Sequence, residues 1–214
     1  MADSDKNLKL WNTFAEKEGL SEEQLSQFKR YAELLLDHNT RYNLTAIETI
    51  DQVIKYHFRD SIILRNACTV GNFSAIADIG SGAGFPAIPL KILFPEISML
   101  LIEVTQKRQN FLQTVIDDLG LKDMQIYTND WRTFLRTTQG EIPLFIARAS
   151  LSVEELARMF KPSSSYNKAT LCYWASWGYE LPEGGPFKNC SFETFSYKIA
   201  YKKRKLVFIK SSVV

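Results

Sequence analysis

The chain has 214 residues, of which 45% are hydrophobic and 23% charged, and its net charge is +2. This is an ordinary globular balance, long enough for one medium domain or for one with a small helical addition, and it excludes extended disorder. A net charge this small gives no global attraction for nucleic acid, so any basic surface must be local.

No apolar run approaches the roughly 18 residues of a membrane span. The polar start MADSDKNLKLW is no signal peptide, so a cytoplasmic protein without a membrane partner is expected. Cys68, Cys172 and Cys190 are scattered and form no C-x-x-C pair. With them, two histidines cannot complete a zinc cluster, and no metal site is expected.

Residues 8–18 and 21–38 read as helices. Ser21 and Gln24 form a capping-box pattern, and Leu25, Phe28, Tyr31, Ala32, Leu35 and Leu36 then recur at helical spacing. Asn39 to Ile47 is polar and reads as irregular. From Thr49 onward, Ile50, Val53, Ile54, Phe58, Ile62 and Leu64 return to helical spacing. Residues 1–66 are thus expected to form an N-terminal helical region, and 67–214 a second domain.

The pattern then changes. Ala75–Ile79 reads as a strand, and Gly80, Gly82 and Gly84 as a tight turn. Pro86–Phe94 reads as a helix that stops before Pro95. A second strand, Ser98–Glu103, precedes a helix at Gln106–Leu119 that Gly120 ends. Further strands are expected at Met124–Tyr127, Ile142–Ala147 and Ala169–Trp174, with a helix at Val153–Phe160. Ser191–Ala200 and Leu206–Lys210 close the chain as two strands joined by a charged turn. Alternating strand and helix predicts an α/β fold with a parallel sheet covered on both faces. The terminal hairpin adds an antiparallel strand.

A strand, a glycine turn and a helix N-terminus bring bare backbone to a ligand. The dinucleotide fingerprint places its third glycine at the sixth position. Phe85 stands there in this chain, and Gly84 comes one residue early. Phe85-Pro86 fits a pyrophosphate poorly, whereas a smaller nucleoside with a positive sulfonium needs backbone approach and apolar cover. Glu103 ends the second strand roughly twenty residues after Gly80, where a carboxylate can bind both ribose hydroxyls of an adenosine. Glu103 alone is compatible with a nicotinamide cofactor as well as with S-adenosylmethionine.

Several segments in order resemble the bacterial small-subunit ribosomal RNA guanine-N7 methyltransferases, the RsmG or glucose-inhibited division protein B family. They are YNLTAI at Tyr42–Ile47, HFRDSIIL at His57–Leu64, and DIGSGAGFPAIPL at Asp78–Leu90. Glu103, KRQNFL at Lys107–Leu112, IARAS at Ile146–Ser150 and KRKLVFIK at Lys203–Lys210 follow. The resemblance spans essentially the whole chain.

It implies a class I S-adenosylmethionine-dependent methyltransferase: a Rossmann-like, mostly parallel seven-stranded sheet with an antiparallel C-terminal strand, plus an N-terminal helical region. The implied reaction is methylation of guanine N7 in the 530 loop of 16S ribosomal RNA, presented as RNA or as the 30S subunit; a monomer is expected. The cofactor is implied to lie against Gly80, Gly82, Gly84, Phe85, Glu103, Trp131, Arg132 and Arg148. Arg148 and Lys107 would position the substrate, and Asn43, Arg108 and Arg204 would contact RNA. His57 and Asp60 would orient the helical region. Two positions depart from the family: Asp130 stands where an arginine is common, and Trp177-Gly178 where Lys-Gly is common. Both changes remove positive charge.

Guanine N7 has an in-plane lone pair and no proton, so its methylation needs no general base. The chain has no D/N-P-P-Y/F motif, and none of its cysteines follows a proline, in agreement with N7 transfer. Catalysis then rests on proximity and in-line orientation. Holding a splayed base calls for aromatic stacking and cations. Lys107, Arg108, Arg132 and Arg148 are candidates, with Lys202, Lys203, Arg204 and Lys205 at the last turn. The alternative is a cofactor- or RNA-binding protein with weak or lost methyl transfer.

Overall fold

A computed structural model describes residues 2–42, 45–182 and 184–212. The chain starts with two helices, α1 (Ala2–Glu18) and α2 (Glu22–Tyr42). The capping box forms as the sequence predicts: Gln24 N donates to Ser21 Oγ at 3.1 Å and Ser21 N to Gln24 Oε1 at 3.0 Å. The helix α2 runs past His38 to Tyr42, so the expectation of irregular chain from Asn39 is corrected. Arg41 pairs with Asp37 one turn back at 3.4 Å, which favours continuing the helix.

A broken helical run follows: α3 (Ile50–Gln52), a π-helical stretch (Val53–Phe58), α4 (Arg59–Ile62) and α5 (Leu64–Ala67). Thr49 caps its start by accepting from Gln52 N at 3.4 Å. A π-helical stretch re-aims side chains along an otherwise regular helix, and such bulges are frequent at functional sites.

Seven strands build one sheet: β1 (Ala75–Ile79), β2 (Ser98–Ile102), β3 (Met124–Tyr127), β4 (Leu144–Arg148), β5 (Thr170–Ser176), β6 (Cys190–Ile199) and β7 (Lys202–Ser211). Their order is β3-β2-β1-β4-β5-β7-β6. The first five are mutually parallel, and β7 is antiparallel to both its neighbours. The connecting helices are α6 (Ala87–Leu93), α7 (Gln106–Asp118), α8 (Trp131–Thr137) and α9 (Val153–Leu156), the last continued by a tighter turn at Ala157–Phe160.

Two elements differ from expectation. The helix α8 lies where the sequence analysis placed none, and Asp130 is its N-cap, accepting from Thr133 N at 2.9 Å. The strand β7 begins at Lys202, and the hairpin turn is Ala200-Tyr201, with Ala200 at φ 52°. Lys202 to Lys205 therefore lie in a paired strand and not in the turn.

The sheet separates two cores. One joins Phe14, Phe28, Tyr31 and Phe58 of the helical region to Phe85, Ile88, Phe111, Trp174 and Leu206. The rings of Phe28 and Phe58 lie 4.9 Å apart, and those of Tyr31 and Phe85 5.2 Å apart. Each such ring, fully buried, contributes roughly 1.5–3 kcal/mol. The helical region is thus packed into the same core as the sheet. The second core gathers Trp131, Phe134, Phe145, Leu156, Met159, Tyr166 and Leu171 on the other face.

Candidate active site

The chain lays β1, β2 and β3 outward in one direction and β4 and β5 in the other, so the reversal falls between β1 and β4. In open α/β sheets ligands bind at the carboxyl ends of the strands at this point. The glycine turn emerges from β1 there. Gly80, Gly82 and Gly84 have φ of 72°, 60° and 94°, a region that side chains disfavour. Two of them also leave no room for a side chain. A Cβ on Gly80 would lie 2.5 Å from Ser150 Cβ, and one on Gly84 would collide with Ile88.

Backbone and side chains fix this turn from three directions. Gly80 N donates to Ile102 O at 2.8 Å, tying it to the end of β2. Glu103, only 3% exposed, accepts from Gly82 N at 2.9 Å and from Thr105 N at 2.8 Å. From the helical region, Tyr31 donates its hydroxyl to the Ala83 carbonyl. Beneath the turn lies Asp78, 1% exposed, and neither of its carboxylate oxygens has a hydrogen-bond partner. Burial pushes its pKa up to about 7; the Ala87 amide, Arg148 and the Ser81 hydroxyl, which donates to the Asp78 carbonyl, pull it down without reaching hydrogen-bond geometry to the carboxylate, and Glu103 pushes it further up. The sequence places Asp78 in a strand and at the head of the DIGSGAGFPAIPL segment, and assigns it no role.

Across the switch point, Arg148 ends β4 and reaches into the helical region. Its Nη1 donates to Asp60 Oδ2 at 3.0 Å and to Tyr56 O at 3.3 Å. Its Nη2 donates to His57 Nδ1 at 3.0 Å, and its guanidinium lies 5.2 Å from the Phe85 ring centroid. Since arginine can only donate, His57 accepts at Nδ1 and donates from Nε2 to Thr45 Oγ1 at 2.9 Å. The His57 ring stacks on Phe85 at 4.2 Å and 11°. Burial, then Arg148, lowers its pKa to about 3, so it stays neutral.

Asp60 is the hub of this junction. It is 1% exposed and also accepts from Arg204 Nη1 at 2.9 Å and Tyr197 Oη at 2.7 Å. Trp174 Nε1 donates to its carbonyl at 2.8 Å. One residue of the helical region thereby binds β4, β5, β6 and β7, the orienting role expected of His57 and Asp60. Arg204 bonds Asp60 through Nη1 and keeps a side chain 28% exposed, so it belongs to this junction as well as to the surface.

The remaining candidates are placed as follows. Phe85 is buried within the aromatic stack. Trp131 is 3% exposed, and its indole donates to Glu155 O at 3.2 Å. Arg132 makes two bonds to Glu155, at 2.7 and 2.9 Å, so it does not supply the charge missing at Asp130. Lys107 and Arg108 lie in the first turn of α7, with Arg108 3.8 Å from Glu103. Asn43 lies outside the described residues. Among those residues no cluster could hold a metal ion, and no helix is long and apolar enough to cross a membrane.

Relatives and solved structures place this geometry. A structure described as a mutant of MtNAS in complex with S-adenosylmethionine superposes with a TM-score of 0.58 at 14% identity, over 94% of this chain and 83% of that one. TrmN from Thermus thermophilus gives a TM-score of 0.51 at 11% identity, over 74% and 53%. These likenesses establish the shared fold.

Among curated relatives, ribosomal RNA small subunit methyltransferase G of Geobacillus thermodenitrificans is 34% identical over 202 residues, 90% of this chain and 85% of the relative. The protein of the same name from Geobacillus sp. strain WCH70 is 32% identical over 211 residues, 94% and 89%. The profile of the GidB family, described as rRNA small subunit methyltransferase G, matches residues 24–203, taking in the glycine turn, Glu103, Arg148 and Asp60. The chain belongs to the GidB family of ribosomal RNA small subunit methyltransferases.

Proposed function

We propose that this protein transfers the methyl group of S-adenosylmethionine to N7 of a guanine in small-subunit ribosomal RNA, with the 530 loop of 16S RNA as its target. The observation that carries the reading is a pair of buried carboxylates, Asp78 and Glu103, beside the glycine turn at the switch point. Asp78 has no partner for either oxygen. A buried carboxylate without a partner is costly, and a cation relieves it. A pyrophosphate would make ionising Asp78 costlier still, whereas a protonated amine favours its carboxylate form and an uncharged diol suits Glu103. In this reading Asp78 faces the cationic end and Glu103 the ribose, while Gly80, Gly82 and Gly84 let backbone approach.

S-adenosylmethionine held here would supply an electrophilic sulfonium methyl, and guanine N7, with an in-plane lone pair and no proton to lose, would need no base from the chain. The side chains agree with this chemistry. His57 has both ring nitrogens engaged and is held neutral by burial, so it serves as a wedge and not as a base. Arg148, fixed from two sides by Asp60 and His57, orients the reacting groups. Lys107 and Arg108 hold RNA phosphate at the start of α7, and Asn43 adds a further RNA contact. Arg204 acts through Asp60 on Arg148. Residues 1–66 brace the turn through Tyr31, residues 67–214 carry the reaction, and the protein works as a cytoplasmic monomer.

Asp130 has a local reason to be acidic, as the cap of α8. The departure that favoured a protein without methyl transfer is thereby explained in part. Deletion of the gene tests the proposal: 16S RNA from the deletion strain should lack one 7-methylguanosine that the parent carries. An unchanged set of modified guanines sinks it.

A further inference from the structure

The corner where β5 meets β7 presents cations stacked on aromatic rings. Ser176, the last residue of β5, pairs with Arg204. Trp177, Tyr201, Lys202 and Lys203 therefore sit at the same sheet edge as the ends of β1 and β4. Trp177 is 51% exposed and Tyr201 75%. Lys203 Nζ lies 5.2 Å from the Trp177 ring centroid. Lys202 Nζ lies 5.0 Å from that of Tyr56 and 5.9 Å from that of Tyr201, and the two tyrosine rings meet edge to face at 6.4 Å.

Successive side chains of a strand alternate between faces, so Lys203 and Lys202 stand on opposite sides of β7. Arg204, next along the strand, reaches Asp60 and, through it, Arg148. The two lysine–aromatic groups are thus part of one short segment anchored to the candidate active site. A cation over a ring face holds the ring in place. The result is exposed, pre-positioned π-surface with positive charge beside it.

Protein–protein interface cores are poor in lysine, which disfavours a protein partner. Bases paired with phosphates match both features. We propose that this corner is a stacking platform for single-stranded RNA, with Trp177 and Tyr201 taking unstacked bases that flank the target guanine and Lys202 and Lys203 taking their phosphates. The proposal rests on the RNA-methylation reading above and names the part of the protein that holds the strand.

The test uses the full chain and a ten-nucleotide oligoadenylate, with polyphosphate as an anion without bases and phosphatidylserine vesicles as an anionic surface. Trp177→Ala and Tyr201→Ala should each weaken oligoadenylate binding by about 5- to 150-fold, the range of base–aromatic stacking, with the salt dependence unchanged. Trp177→Phe should keep most of the affinity. Lys203→Ala should lower the slope of log affinity against log salt by about 0.7. Calorimetric binding of S-adenosylmethionine should be the same in every variant, which shows that each is folded.

Unaltered oligoadenylate affinity in both alanine variants overturns the platform. So does an equal loss for oligoadenylate and polyphosphate, or vesicle binding that exceeds RNA binding and depends on Trp177. Methyl transfer to 30S subunits separates the two claims. If the unmodified protein transfers nothing, the methylation reading fails and the oligoadenylate result still decides the platform. If it transfers and Trp177→Ala leaves KM for 30S subunits unchanged, the platform alone fails.

Discussion

Substitution of Asp60 by alanine is expected to lower the stability of the protein by about 3–5 kcal/mol, the cost of breaking a buried ion pair from one side. The carboxylate is 1% exposed, and its partners Arg148 and Arg204 have side chains 11% and 28% exposed. Three charge-assisted bonds disappear together, from Arg148, Arg204 and Tyr197. Taken singly, such bonds are worth about 1.5–3 kcal/mol each. Their simple sum overstates the effect, because members of one network are not additive and Arg204 can rehydrate. Asp60→Asn keeps the shape and part of the hydrogen bonding and should cost less. Urea denaturation with an unchanged slope measures the difference. Thermal unfolding should fall by roughly 6–20 °C, at about 2–4 °C per kcal/mol for a chain of this size. An Asp60→Ala, Arg204→Ala double-mutant cycle should give a coupling of at least about 0.5 kcal/mol. A loss below about 1 kcal/mol, or a coupling near zero, refutes the hub.

Gly84→Ala should weaken S-adenosylmethionine binding at least about tenfold by calorimetry and destabilise the chain by about 1–3 kcal/mol, since it combines strained backbone with a collision with Ile88; normal binding by the variant contradicts the cradle. Glu103→Gln should weaken the same binding, because an amide replaces the carboxylate proposed to hold the ribose diol and now accepting from Gly82 N and Thr105 N; unchanged affinity removes Glu103 from the site. Arg132→Ala should leave the urea midpoint almost where it is, because its ion pair with Glu155 is exposed on the arginine side; a clear fall in the midpoint shows a structural duty for that pair. The pH dependence carries two opposed trends. His57 stays neutral down to about pH 3 while its unfolded counterpart protonates near 6.5, so its contribution is lost as pH falls through that window. Asp78 keeps a proton up to about pH 7 that the unfolded chain releases near 3.8, so its contribution is lost as pH rises through that window. Each slope approaches about 1.4 kcal/mol per pH unit, and in the unliganded protein they oppose one another between about pH 4 and 6.5. His57→Gln should unmask stability that falls with rising pH, and Asp78→Asn stability that rises with it; parallel curves for the two variants contradict the burial of either group.

Local signals were read well where one element's own period decides its structure. The strand Ala75–Ile79 and the strand Met124–Tyr127 have the bounds expected from apolar pattern alone. The capping box at Ser21 and Gln24 is likewise a property of four consecutive residues. The helix α8 escapes a periodicity reading because it has only 7 residues, and its local signal is the Asp130–Thr133 cap. The candidate site divides in the same way. The glycine turn and Glu103 are legible, since a turn and a strand end are local. The Asp60 hub is not, because its partners Arg148 and Arg204 lie 88 and 144 residues away along the chain. No periodicity reports such a meeting, and Arg204 therefore read as a surface cation. Asp78 was passed over for a related reason: one acidic residue in an apolar strand gives no sign of whether its oxygens are satisfied.

The most direct test of the account is methyl transfer from labelled S-adenosylmethionine to 30S subunits isolated from a strain lacking the gene, with the modified nucleotide identified by mass spectrometry of ribonuclease fragments. One 7-methylguanosine is expected, within the 530 loop of 16S RNA, and none on subunits from the parent strain, where the position is already filled. Label on a different atom or base, or no transfer by folded protein that binds the cofactor, contradicts it.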